Sequence, residues 1–261
     1  MAMMTSTVGE TALDRTLWTL SGKDALSFLQ GLVTNDLRPL ESDASIVWCA
    51  LLSPQGKYLA DFLVVRRFDG QLLIDIATGL AADTLRRLTL YRLRTDVQIL
   101  PCPLHVLRGL GAPPAGAMPD PRHPALGWRL WSETPGAAPD IDWDSIRVAH
   151  LIPESGIELI ADDSYILESG FERLHGVDFR KGCYVGQEVT ARMKHKTDLR
   201  KGLVRVAVQG QAPVGTEILS DGKPAGTLFT QSNGQAIAYL RHDRASGALT
   251  AGTATLRTLP D

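Results

Sequence analysis

Cysteine is scarce: Cys49, Cys102 and Cys183 are the only three, and no two form a C-x-x-C pair. That excludes a disulfide framework, and it excludes a four-cysteine zinc or iron–sulfur site held by this chain alone. The six histidines form no H-x-x-x-H or related cluster, so no permanent metal is expected. No stretch approaches 18 consecutive apolar residues, so no membrane span and no membrane partner are expected. Met1 to Leu13 contain neither Lys nor Arg, unlike a secretory signal or an Arg-rich transit peptide. The expectation is a cytoplasmic, reduced protein. A large net charge is also missing. Lys+Arg number 27 against 29 Asp+Glu, a formal charge of −2, which argues against a general nucleic-acid coat protein.

What is present is an ordinary globular composition, 44% hydrophobic and 21% charged over 261 residues. Ser21-Gly-Lys-Asp24 resembles a helix start, with Ala25, Leu29, Leu32 and Val33 following at helical spacing. Ile46–Leu52 and Tyr58–Arg66 read as strands joined by a Ser53-Pro-Gln-Gly56 type I turn. Asp69-Gly70 marks a hairpin into Leu72–Ile76. A helix is expected from Ala81 to about Arg92 and a strand over Val97–Leu100. Nine of the 15 prolines fall between Pro101 and Pro139, so Leu104–Arg108 and Leu126–Trp131 read as strands among loops. Ile141–Leu151 reads as a short helix. After Arg200, short strands are expected at Gly202–Val208, Glu217–Leu219, Ala225–Thr230, Ala236–Leu240 and Thr253–Leu259, with Asp221-Gly222 and Asn233-Gly234 at turns. That spacing predicts a small antiparallel barrel.

The densest polar constellation is Arg180-Lys-Gly-Cys-Tyr-Val-Gly-Gln-Glu188. Gly182 and Gly186 allow close backbone approach, which would place the thiol on a loop. Cations at Arg180 and Lys181 would favour the thiolate of Cys183. The plainer reading of a free cysteine is a small buried hydrophobe, and the residues alone leave both open. Arg180 to Lys201 carry seven Lys+Arg and two acids, +5 against −7 for the rest of the chain. Such a run is either a solvated face or a site for an anion.

Lys181-Gly-Cys-Tyr-Val-Gly-Gln-Glu188 resembles the K-G-C-Y-x-G-Q-E signature of the YgfZ family, folate-binding iron–sulfur assembly factors related to the glycine-cleavage T-protein. Four other segments agree with the family pattern: Phe28 to Asp36, Gln55-Gly-Lys57 through Asp61, Asp120-Pro-Arg122 with Leu126-Gly-Trp-Arg129, and Arg147 to Pro153 followed by Gly156. The last departs from it in having His150-Leu151 where small residues are usual. The resemblance spans about residues 16–208.

The resemblance implies an α+β fold: a three-lobed, aminomethyltransferase-like ring of two interleaved α+β lobes and a C-terminal β-barrel. The lobes are placed at 1–100, 101–198 and 199–261, with the second lobe as the alternative home of the N-terminal residues. Tetrahydrofolate, or a derivative, is the implied cofactor. Its implied contacts are Asp61 for the pterin, Arg122, Arg129 and Arg192 for the glutamate tail, and Trp128 and Tyr184 for stacking. Lys181, Gln187 and Glu188 of the signature complete the set. Asp61 stands where the T-protein has the second of two adjacent acids, Ala60 taking the first place. The bland alternatives are a solvent-facing Asp61, surface ion pairs for the arginines and core positions for the aromatics. Gln30 is a candidate supporting group, and Thr34, Asn35 and Asp36 are expected to turn the chain.

Cys183 is the implied working thiol, sharing a transient iron–sulfur cluster with a partner. The implied partners are folate, iron–sulfur assembly proteins and client enzymes, with an indirect link to tRNA modification through iron–sulfur enzymes. Direct nucleic-acid binding is not expected, and a monomer is. A folate-dependent aminomethyl or one-carbon transferase of the T-protein type is the alternative function.

Overall fold

A computed structural model describes residues 9–196, 199–245 and 247–260, without the Lys196 side chain. The Lys196 side chain and Asp198 of the basic stretch, and residues 1–8, therefore lie outside the described residues. The chain divides into two compact units. One comprises the segment ending at Leu52 with 60–141 and 174–185; the other comprises 53–59, 142–173 and the chain from Gly186 on.

The first unit holds two sheets. Strands β1 (Glu10–Thr11), β2 (Arg15–Ser21), β3 (Ser45–Leu52), β4 (Tyr58–Arg66), β5 (Leu72–Ala77), β6 (Gln98–Pro101), β7 (His105–Gly109), β8 (Met118–Pro119) and β9 (Trp128–Ser132) follow one another in the chain. The larger sheet has the order β3-β4-β5-β2-β6, and the smaller β1-β7-β9-β8. β3 and β4 are almost continuously apolar because both faces are covered. The register is fixed by pairs such as Trp18 with Ile74 and Leu107 with Leu130.

Helix α1 (Ala25–Gln30) starts later than Ser21 suggests. Ser21 ends β2, and Asp24 occupies the N-cap position without a side-chain capping bond. Helix α2 (Thr78–Tyr91) covers one sheet face with Ala81, Thr84 and Leu88. β1, β2 and β8 have no counterpart in the sequence reading. β1 and β8 are two residues each, too short to show a period.

The second unit is built on a closed barrel. Helix α3 (Trp143–His150) is capped by Asp142, whose carboxylate accepts from Ser145 N, and ends at Leu151 in the left-handed region (φ 52°). Helix α4 (Gln187–Lys196) follows the signature. Strands β10 (Lys201–Gln209), β11 (Thr216–Ser220), β12 (Lys223–Ser232), β13 (Gln235–Arg241), β14 (Leu249–Ala251) and β15 (Ala254–Thr258) close in the order β10-β13-β12-β11-β14-β15. The Asp221-Gly222 and Asn233-Gly234 pairs all have positive φ, as hairpin turns between twisted strands require. Inward-facing Val206, Ile218, Leu228, Ala238, Leu240 and Ala254 fill the barrel. The fold is α+β with a C-terminal barrel, as expected.

Candidate functional site

Cys183 sits on an irregular loop and is exposed, whereas Cys49 is buried and Cys102 partly so. Of the two readings left open for Cys183, the buried hydrophobe is excluded. The neighbouring Lys181 is engaged elsewhere. Its ammonium turns inward and donates to Gln30 O at 2.7 Å and to Val33 O, at and just beyond the C-terminal end of α1. Burial pulls its pKa down to about 8, with Cys49, Asp36 and Asp178 nearby partly opposing the shift. The Tyr184 ring lies 5.1 Å from the same ammonium and is itself buried.

The root of this loop is held by the Thr34-Asn35-Asp36 turn. Thr34 Oγ1 donates to Gly176 O (2.7 Å), Asn35 Nδ2 donates to His175 O (2.7 Å), and Asp178 N donates to Thr34 O (3.1 Å). The Asp178 carboxylate then accepts from Arg180 N (2.6 Å) and Lys181 N (3.2 Å). Gln30 is an internal strut, since its side chain donates to Asp36 and accepts from Leu37 N. Two segments about 150 residues apart in sequence thus form one pinned base for the thiol.

Asp61 is 6% exposed, so the solvent-facing alternative fails. Its Oδ2 accepts from Trp48 Nε1 at 2.8 Å. Cys49 lies in the same core, where burial pushes its thiol well above the ordinary range and leaves it inert.

Arg122 and Arg129 are buried ion-pair members. Arg122 grips Asp120 with two bonds, at 3.0 and 2.9 Å, while Arg129 donates to Asp120 at 2.7 Å and reaches Asp75 at 3.4 Å. Arg15 closes on Asp75 from the other side at 2.6 Å. The two arginines hold the Asp120 carboxyl below the usual carboxylate range despite its burial. Their forks are committed inside the protein, and neither is the surface ion pair weighed as an alternative.

Trp128 is 2% exposed and wedged between backbones. A Cβ on Gly9 or on Gly109 would fall 2.4 Å from its ring. Its indole N–H has no hydrogen-bond partner among the described residues.

Gln187, Glu188 and Arg192 lie on α4, in the second unit, with Glu188 and Arg192 exposed. There the Gln55-Gly-Lys57 segment meets the signature's second half. Gly56, at φ +74°, passes so close that an added Cβ would lie 2.7 Å from Val189 Cβ and 3.3 Å from Gly186 O. Lys57 caps Asp163 O and stands 3.8 Å over the Tyr165 ring.

Sequence reasoning missed the buried charges that hold this unit together. Arg147 donates to Ile152 O, Glu158 and Thr230 at 3.0–3.1 Å and to Asp144 at 2.8 Å. The only signal was that Arg147 opens a family segment. Among the described residues, no group of three or more His, Cys, Asp and Glu is disposed to hold a metal ion.

Comparison with known proteins adds three findings. Residues 200–261 match the family model described as the CAF17 C-terminal beta-barrel domain. The chain is 30% identical to the human iron-sulfur cluster assembly factor IBA57, mitochondrial, over 90% of this chain and 78% of that protein. It is 33% identical to the Mycosarcoma maydis IBA57 homolog over 71% of this chain and 53% of that protein, so it spans about half the length of the fungal relatives. Among solved structures, aminomethyltransferase T of the Bartonella henselae glycine cleavage system matches with a TM-score of 0.71 and 14% identity, covering 98% of this chain and 86% of that one. That likeness is one of fold. The relatives also correct the expected location: they are named as mitochondrial, which points away from the cytoplasm. A lack of Lys and Arg up to Leu13 was too local a signal to decide a compartment.

Proposed function

The chain belongs to the IBA57 family of iron–sulfur cluster assembly factors, and from that premise we propose that it helps assemble or repair iron–sulfur proteins through the Cys183 thiol. The observation that carries this reading is an exposed thiol on a loop whose base is pinned by Lys181, Thr34 and Asn35. A cluster is cargo here. Its irons need about four thiolate ligands, of which Cys183 supplies one. Cys49 is buried, and among the described residues no group of three or more His, Cys, Asp and Glu is disposed to hold a metal, so the remaining ligands come from a partner's cysteines or from small thiols. On ligation the thiol gives up its proton, and an exposed loop lets water take it.

Tetrahydrofolate is the proposed ligand, resting on the family resemblance, and when bound it supplies a carrier for a one-carbon unit. The residues fit it in part. Asp61 suits a pterin, since a buried carboxylate is what its N–H donors require, and Tyr184 lies near Lys181. Arg122 and Arg129 do not suit the glutamate tail, because Asp120 and Asp75 already take their forks. Trp128 has no open face between Gly9 and Gly109. Calorimetric titration with tetrahydrofolate, wild type against Asp61→Asn, tests this part.

The decisive experiment is Cys183→Ala in a deletion strain. Activity of [4Fe–4S] enzymes is expected to stay at the deletion level while the variant accumulates folded. Full rescue overturns the proposal. A second reading, aminomethyl transfer, draws on the T-protein fold and the buried Asp61. Turnover with tetrahydrofolate and an aminomethyl-lipoyl carrier protein would favour it over the first.

A further inference from the structure

Helix α2 breaks its own pattern in its last turn. Ala81, Thr84 and Leu88 make the buried face at helical spacing. Leu90 lies on the opposite side of the helix, Tyr91 continues the 81-84-88 spacing but is left uncovered at the helix end, and Leu93 lies just past the helix. The three are 66%, 45% and 81% exposed. Polar residues belong at such positions in a helix that only covers a core, so the fold of the unit does not account for them.

The same segment, Arg86 to Arg94, holds four arginines and no acid. Arg86 pairs with Asp83. Arg87, Arg92 and Arg94 make no ion pair among the described residues. Arg94, at φ 66°, takes the chain out of the helix beside Leu93.

We propose that this arginine-rimmed apolar tip docks reversibly on an anionic lipid bilayer. Charge complementarity selects the occupant: three unpaired guanidiniums face headgroups of opposite sign, each contributing about fivefold in partition. Shape agrees, because Leu93 protrudes and can enter the acyl boundary. Tyr91 and the arginines are amphipathic side chains suited to the water–lipid boundary. The expectation of no membrane contact rested on the lack of a spanning segment. Among the described residues no helix is long and apolar enough to cross a membrane, but a surface mode does not need one. The inference is independent of the cluster-assembly reading.

The test is flotation of the full chain with vesicles of phosphatidylcholine alone and of phosphatidylcholine with about a third phosphatidylglycerol, at low and high salt. Binding is expected only to the anionic vesicles and is expected to fall as salt rises. Leu90→Ser with Leu93→Ser, and separately Arg92→Gln with Arg94→Gln, are each expected to lower partition by about tenfold or more, with melting unchanged. No binding to anionic vesicles, or binding indifferent to both double variants, overturns the proposal. So does a vesicle-negative chain that crosslinks at position 91 to an acidic protein, since the surface would then be a protein interface.

Discussion

Asp120 is the residue on which the charge network of the first unit turns. It accepts three side-chain bonds, two from Arg122 and one from Arg129. Asp120→Asn leaves two buried guanidiniums short of their counter-charge, which costs about 3–5 kcal/mol. An unfolding free energy lowered by that amount, read as a lower denaturant midpoint at unchanged slope, is the expected result. Acid acts through the same kind of group. Bonds from Arg38, against a smaller burial effect, lower the Asp36 pKa from 3.8 to about 2. The stability this contributes is fully present above about pH 4 and is lost as pH falls through 2. Asp120 is depressed further, so its contribution is lost over a still lower range. Acid titration monitored by tryptophan fluorescence should show stability falling through this window, and Asp36→Asn should remove part of that slope.

At the scale of elements, the signature is held by segments far from it in sequence. Replacing Lys181 with Met leaves the carbonyls of Gln30 and Val33 without their ammonium. An unsatisfied buried group costs about 1–3 kcal/mol. Amide exchange over 175–185 should quicken about tenfold, with the barrel unaffected. On the other side of the signature, Gly56→Ala combines positive φ with a 2.7 Å approach to Val189 Cβ. A loss of about 2–4 kcal/mol is expected from backbone strain and overpacking together. Adding Val189→Ala does not remove a clash with Cβ itself, so Gly56→Ala/Val189→Gly is the informative pair. It should recover the packing part and leave the φ part.

Whether an element could be read from the sequence depended on its period. The barrel strands alternate and carry Asp-Gly and Asn-Gly turns, so four of the five expected strands coincide with β10 to β13, and the fifth with β15. β14 is three residues long and was missed. Helix α4 was read only as a basic run, because Val189 and Met193 are its only large apolar residues.

At the scale of the whole molecule, the two units draw on interleaved stretches of chain, so sequence order does not mirror spatial order. The fold is shared with an aminomethyltransferase, while the relatives at about 30% identity are assembly factors. A fold hosts more than one chemistry, and the groups at the site decide between them. Loss of enzyme rescue in Cys183→Ala, together with a lack of aminomethyl turnover in the wild type, is the expected joint outcome. The reverse pattern would assign the molecule to transfer chemistry.

By itself the sequence determined the α+β class, the barrel and the family. These rest on local period, turn chemistry and an eight-residue signature. Only the tertiary structure decided what the charges do. Lys181 looked like an activator of its neighbouring thiol and is an anchor bound to α1. Arg122 and Arg129 looked like ligand grips and are spent on Asp120 and Asp75. Asp61 turned out to be buried against Trp48. The physical reason is the same in each case. A charged side chain takes the nearest partner in space, and in this protein those partners lie up to 151 residues away along the chain.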